Sequence, residues 1–203
     1  MDTRHTRIAA LVLALAPLLL LAQEAPKPAG AKAAERAAMI RSLERGKPMT
    51  VRGEQYQQLP GVIAVERKAQ ATPEQAVAGL GASSTDVIES KGKLVVLRSS
   101  RKNAGFVEQV AGAPVYPTVL NARTGTIGVL TGTLIVKPKN MVDADAIART
   151  HGLDKTQAYP QLQIVLYKAK AGVDLADVSA GLQADPRVES AYPEIVEHVR
   201  VPK

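Results

Sequence analysis

Ser83, in the stretch Gly81-Ala82-Ser83, is the nearest the sequence comes to an activated nucleophile. A nucleophile elbow reads G-x-S-x-G, because the second glycine lets the serine sit on a tight strand-to-helix turn; here that position is Thr85. The three histidines, His5, His151 and His198, stand apart from one another, none in the spacing of a metal site, and the chain has no cysteine. Asp143 and Asp145 form the one close carboxylate pair of note, yet two residues apart on a helix they point to different sides, and charge in a first helical turn explains both. Gly79-x-Gly81 ends a helical pattern rather than opening one, so it is not a dinucleotide fingerprint. These residues predict a protein that is not an enzyme, with no metal and no cofactor.

The elements follow from charge and pattern. The chain opens with the cationic MDTRHTR and then runs uncharged for fifteen residues, Ile8–Ala22. That is short for a membrane span, and with the small residue at Ala22 it predicts a secretory signal peptide over 1–22. A periplasmic or secreted bacterial location is therefore expected, with no membrane attachment once the signal is cut. The absence of cysteine means that burial and backbone pairing, not cross-links, must hold the exported fold. One Phe and no Trp leave a core of Val, Ile, Leu and Ala. The net charge is +7, and residues 23–130 hold fifteen Lys/Arg against nine Asp/Glu, while residues 131–203 hold nine of each. With so few aromatic rings to stack on bases, the basic half reads as a solvated face, and nucleic acid is not an expected partner.

Residues 23–32 are rich in Pro, Ala and Lys and read as a linker. An α+β region over 33–131 is expected to be β-rich with short helices. AAERAAMIRSLERG (33–46) predicts a helix with Ala37, Ile40 and Leu43 on one stripe and Gly46 as its stop. MTVRGEQYQQ and VIAVERKA predict strands on either side of a Leu59-Pro60-Gly61 turn. ATPEQAVAGLG (71–81) has the Thr72…Gln75 spacing of a capping box. A hairpin about Lys91-Gly92 and a turn at Asn121–Gly125 complete this part.

Residues 132–203 carry the clearest pattern: a strand in GTLIVKPKN, a helix from Val142 to Gly152, a strand pair broken at Tyr159-Pro160, a helix capped by Asp174, and a closing strand. The order β-α-β-β-α-β is that of a ferredoxin-like split βαβ unit, a four-stranded antiparallel sheet with both helices on one face. The other face would then be bare. Alternation assigns Ile135, Val165, Tyr167 and Ala191 to it, with Leu162, Ile164 and Leu166 inward, and an apolar bare face favours docking.

GTLIVKPKN, His151-Gly152-Leu153, Tyr159-Pro160-Gln161-Leu162, Ala184-Asp185-Pro186-Arg187-Val188-Glu189 and Ala191-Tyr192-Pro193-Glu194 occur in that order. As a set they resemble the propeptide domain of subtilisin-like serine proteases, the inhibitor and foldase module, over about a third of the chain. Tyr192 stands where an acidic residue is frequent in that family, so the role of that acid does not carry over. No catalytic domain follows in this sequence, and the layout resembles a separately encoded chaperone of a secreted subtilisin-like protease.

The resemblance implies that the bare sheet face packs on surface helices of the protease and that the tail lies in its substrate cleft as an added strand. Val199 would then lead into Arg200-Val201-Pro202-Lys203, with Lys203 in the specificity pocket and Arg200 three residues upstream, a pattern that suits kexin-type proteases. Glu189, Glu194 or Glu197 would cap helix N-termini of the partner. His151 is expected to serve the dipole at its helix C-terminus. The alternative is an envelope structural or adaptor protein with ferredoxin-like topology and no protease partner, marked by a charged outer face.

Overall fold

A computed structural model describes residues 29–67, 72, 75, 86–99, 108–110 and 113–197. The stretch expected to be a signal peptide, most of the residues expected to form a helix over 71–81, Ser83, His198 and Val199, Arg200, Val201, Pro202 and Lys203 lie outside the described residues. Among those described, helix α1 (Ala29–Ser42) comes first, four residues ahead of its expected start, followed by strands β1 (Pro48–Val51), β2 (Glu54–Glu66), β3 (Val87–Lys91), β4 (Leu94–Arg98), β5 (Glu108–Val110) and β6 (Ala113–Asn121). The rest comprises β7 (Ile127–Pro138), α2 (Ala144–His151), β8 (Asp154–Tyr159), β9 (Ile164–Lys168), α3 (Leu175–Ala184) and β10 (Val188–Val196). The fold is mixed α/β, with few helices on a mostly antiparallel sheet.

All ten of these strands join one sheet, in the order β3-β4-β2-β6-β7-β9-β8, with β1 on β2, β5 on β6 and β10 on β7, and each pairing is antiparallel. Strand β7 connects the two halves of the chain. Its first residues pair with β6 and its later ones with β9, while β10 runs beside it from Val129 to Pro138.

The twofold alternation of β7 gives each side chain a face. Leu130, Leu134 and Val136 enter a core with Ala144, Ile147 and Ala148 of α2, Leu175 and Leu182 of α3, and Met49, Val51 and Tyr56 from the β1–β2 hairpin. Ile127 and Val129 point the other way and are covered by Ile40 and Leu43 of α1 together with Leu59, Val62, Ala64, Val96 and Leu120. Both C-terminal helices thus share one face of the β10-β7-β9-β8 half, and α1 packs on the opposite face at the other half.

Local chemistry sets the ends of the elements. Asp174 caps α3 by accepting from the Ala176 amide at 2.9 Å, and Gly152 closes α2 in the left-handed region at φ 64. Thr72 and Gln75 make the expected capping box, Thr72 N donating to Gln75 Oε1 at 2.9 Å and Gln75 N to Thr72 Oγ1 at 3.3 Å.

Two local expectations need correction. Leu59-Pro60-Gly61 is no turn: β2 runs through it, and the missing proline N–H is accommodated by a register shift against β6 between Gln58 and Ile63. Gly46 does not stop α1, which ends at Ser42; its amide donates to the Gln58 carbonyl at 2.8 Å, and a β-carbon there would meet Pro60 Cγ at 3.0 Å. The glycine serves close backbone approach.

Three charged contacts tie the halves together at the helix face. Lys47 Nζ reaches both carboxylate oxygens of Asp177, at 2.7 and 2.6 Å, and Asp174 Oδ2 at 3.0 Å. Between α2 and α3, Asp185 is 7% exposed and meets His151 Nε2 at 2.9 Å. His151 therefore does more than face its own helix dipole: it is a side-chain partner of the next helix's cap.

Candidate partner-binding face

Past Val129, the α1-side face of β7 loses its cover. Thr131, Thr133 and Ile135 follow Ile127 and Val129 on that face, and Ile135 is half-buried and outside all three core clusters. In register with Ile135 stand Leu166 on β9 and Tyr192 on β10; Tyr159 pairs Ile164 on the β8 side. Ile164 and Leu166 are likewise half-buried and in no cluster, β8 is exposed along its whole length, and Tyr159 is 38% exposed. The centre of this face is apolar, and Lys137, Lys168 and Glu194 stand around it. At its β10 edge the β1–β2 hairpin reaches it, with Ile135 and Tyr192 lining a cleft shared with Val51 and Arg52.

Strand alternation identifies the correct kind of residue here but assigns several of them to the wrong face. Ile135 is where it was expected. Val165 and Tyr167 are fully buried on the helix side and Ala191 is 3% exposed there, while Ile164 and Leu166, expected inward, face out. Leu162 also was expected inward and is 63% exposed in a 3-10 turn, Pro160–Leu162, after which Gln163 takes φ 53. That turn resets the alternation ahead of β9, and bulges in β10 at Val188/Ser190 and Pro193/Ile195 reset it there. Tyr167 has a definite reason to point inward: its hydroxyl donates to the Ala144 carbonyl at 2.8 Å. Burial pushes its phenol up to about 12.

The glutamates divide by partner. Glu189 is exposed and pairs with Lys137 across the strands at 2.8 Å. Glu194 is exposed and accepts from Thr131 Oγ1 at 2.5 Å. Glu197 is tied inward, its carboxylate accepting from Asn121 Nδ2 at 3.1 Å and its carbonyl from Lys91 Nζ at 2.6 Å. Those two donors come from 76 and 106 residues away, so no local pattern could have found them.

Two concave features border the bare face. One is a cleft of about 400 Å³ lined by Lys93, Leu94, Tyr116, Thr131 and Lys168 among others, in which burial pulls the Lys168 ammonium down. The other, about 510 Å³, lies between the β1–β2 hairpin tip and β10, where the Arg52 guanidinium sits 4.3 Å from the Tyr192 ring centroid and donates to its hydroxyl at 2.5 Å. Tyr192, which departs from the acidic residue of the propeptide pattern, thus serves as a stacking platform. Among the described residues no cluster of His, Cys, Asp and Glu could hold a metal ion.

Residues 31–201 match the family model described as "Open reading frame 2 N-terminal domain". Among solved structures, the chain is similar to one from the crystal structure of the Aeromonas sobria serine protease (ASP) and chaperone (ORF2) complex, at 25% identity and a TM-score of 0.36, covering 48% of this chain and 99% of that one. None of the curated proteins matches.

Proposed function

The chain belongs to the open reading frame 2 N-terminal domain family, and on that premise we propose that it is an exported chaperone of a secreted subtilisin-like serine protease. The family shares its designation with the chaperone (ORF2) in the Aeromonas sobria complex, and the ordered blocks from GTLIVKPKN to Ala191-Tyr192-Pro193-Glu194 resemble the propeptides of subtilisin-like proteases. One observation carries the reading: the uncovered row of Ile135, Leu166 and Ile164, on a sheet whose other face is closed by α2 and α3. The half-sheet β10-β7-β9-β8 is taken as ferredoxin-like, and its bare face as the surface that receives paired helices of the protease. A charged outer face would have favoured the adaptor alternative; the centre of this one is apolar.

Folding help follows from geometry. A protease rich in non-local strand pairing must close long loops before contacts stabilise them. A preformed apolar surface holds two of its helices in place early. Inhibition is a second consequence: Arg200-Val201-Pro202-Lys203 extends into the substrate cleft, Lys203 in a pocket suited to basic residues, as in kexin-type proteases.

The test is refolding of a denatured subtilisin-like protease with and without the purified chain. Recovered activity should rise with the full chain and also with a chain lacking Val199–Lys203, because the face remains. Inhibition of the folded protease should weaken about tenfold or more in the shortened chain, the size expected when one anchored segment of an interface is lost. Identical refolding yields with and without the chain would end the proposal, and undiminished inhibition after the deletion would end the tail's part in it.

A further inference from the structure

The last ladder pair of β10 is Val196 with Val129. The next residue, Glu197, is held at two points by the N-terminal half of the chain. Lys91 Nζ donates to the Glu197 carbonyl at 2.6 Å, and Asn121 Nδ2 donates to its carboxylate at 3.1 Å. Lys91 is an unusual choice for a merely structural position. Its side chain is 9% exposed, and it is balanced by Glu89 at 3.0 Å, which itself pairs with Arg36 of α1. The ammonium thus bridges the Glu89 carboxylate and the Glu197 carbonyl, joining β3 to the end of β10. Asn121, 1% exposed, is held in turn by the turn it caps, its Oδ1 accepting from the amides of Arg123 and Thr124 at 3.0 and 3.1 Å.

Packing adds a third constraint. A β-carbon on Gly128 would overlap Ile195 Cγ2 and lie 3.2 Å from Val119 Cγ2 and 3.5 Å from Glu197 Cγ. The end of β10 is seated on a bare glycine. Because the peptide unit is planar, fixing the Glu197 carbonyl fixes the plane from which residue 198 departs.

We infer that Lys91, Asn121 and Gly128 are positioning residues that set the direction in which the C-terminal tail leaves the fold, which gives the N-terminal half a task in inhibition. The inference rests on the tail reading above and deepens it. A segment launched in its bound direction loses less freedom on entering a cleft, so the effect should be on tail engagement and not on face docking.

Two readouts separate this from a structural role and from failure of the proposed function. The first needs no protease. The chain has no cysteine, so spin labels can be placed uniquely in a Val199→Cys, Arg149→Cys chain. Lys91→Met and Gly128→Ala should broaden the distance distribution between the labels, and Lys91→Arg, which still donates, should restore it. The second compares inhibition constants: Lys91→Met should weaken inhibition of a subtilisin-like protease by the full chain about tenfold, yet leave the affinity of a chain ending at Glu197 unchanged. Unaltered distance widths, or equal losses in both chain lengths, would overturn the inference. If the full wild-type chain inhibits no such protease, the functional reading fails while the distance measurement still decides the clamp.

Discussion

Replacing Ile135 and Leu166 together by glutamate should lower affinity for the partner protease about a thousandfold while leaving the fold intact. Both side chains point from the middle of the bare face and stand directly opposite each other in the β7–β9 register. Central, well-packed apolar anchors of an interface each contribute about 2 kcal/mol or more, and ~4 kcal/mol corresponds to about three decades in affinity. A glutamate there would also have to give up its water on docking. In the isolated chain both positions are half-buried, outside the core clusters and partly in contact with solvent already, so the melting temperature should move by only a few degrees, with strand propensity and the lost apolar contact the main costs. Val142→Glu is the control: Val142 is 89% exposed in the 3-10 turn ahead of α2, away from the face, and the substitution should change affinity little. Titration calorimetry with an inactivated protease reads both variants against the wild type. Loss of binding in Val142→Glu, with the face variant unaffected, would place the partner on the helix side.

Asp185→Asn should cost about 3 kcal/mol of stability at neutral pH, the low end for removing one partner of a buried ion pair, because the remaining Arg187 side chain, 31% exposed, can turn to water. For a chain of this length that is roughly a 6 to 12 °C fall in melting temperature. Asp185 ends α3, accepts from the Arg187 amide and guanidinium at 2.9 Å or less, and meets His151 of α2, so one carboxylate fixes the two helices and the entry to β10. The Arg187 guanidinium holds the carboxyl well below the usual carboxylate range, with its amide and His151 adding to the effect against the cost of burial. The sign follows from linkage. A carboxyl lowered in the folded state contributes stability that is complete above its unfolded pKa of about 4 and is lost as pH falls below that value toward the folded one. The gap between wild type and Asp185→Asn should therefore be flat from pH 6 to 8 and close below about pH 5. Denaturant unfolding at several pH values measures it. A gap that persists undiminished at pH 3 would mean that the ionised carboxylate is not what stabilises the helix pair.

Asp185 also shows what the sequence could and could not convey. The block Ala184–Glu189 was visible as part of a propeptide-like pattern, and its main work in this fold is structural: a cap, a helix clasp and a strand entry. Helix ends were legible because their signals are local, as with the Asp174 cap, the Gly152 stop and the Thr72–Gln75 box. Strands were legible from alternation. The polarity of that alternation was not, since period two divides residues into two faces without saying which is buried. At Val165 and Tyr167 the answer depended on Gln163 at φ 53 and on a hydroxyl that needs the Ala144 carbonyl. The continuity of the sheet was hidden for a related reason: β7 begins at Ile127, not near residue 132, and its first residues pair with a strand assigned by pattern to the preceding region. The anchoring of Glu197 by Lys91 and Asn121 lies beyond any local signal, because neither residue type at those positions differs from an ordinary hairpin or turn residue.

The central claim, that the protease covers the face bearing Leu166, is tested most directly by thiol protection. The cysteine-free chain permits single reporters, Leu166→Cys on the face and Val142→Cys on the helix side. Saturation with an active-site-silenced subtilisin-like protease should sharply slow alkylation at residue 166 and leave residue 142 as reactive as in the free chain. A complex in which residue 166 stays fully reactive while residue 142 is shielded would contradict the account.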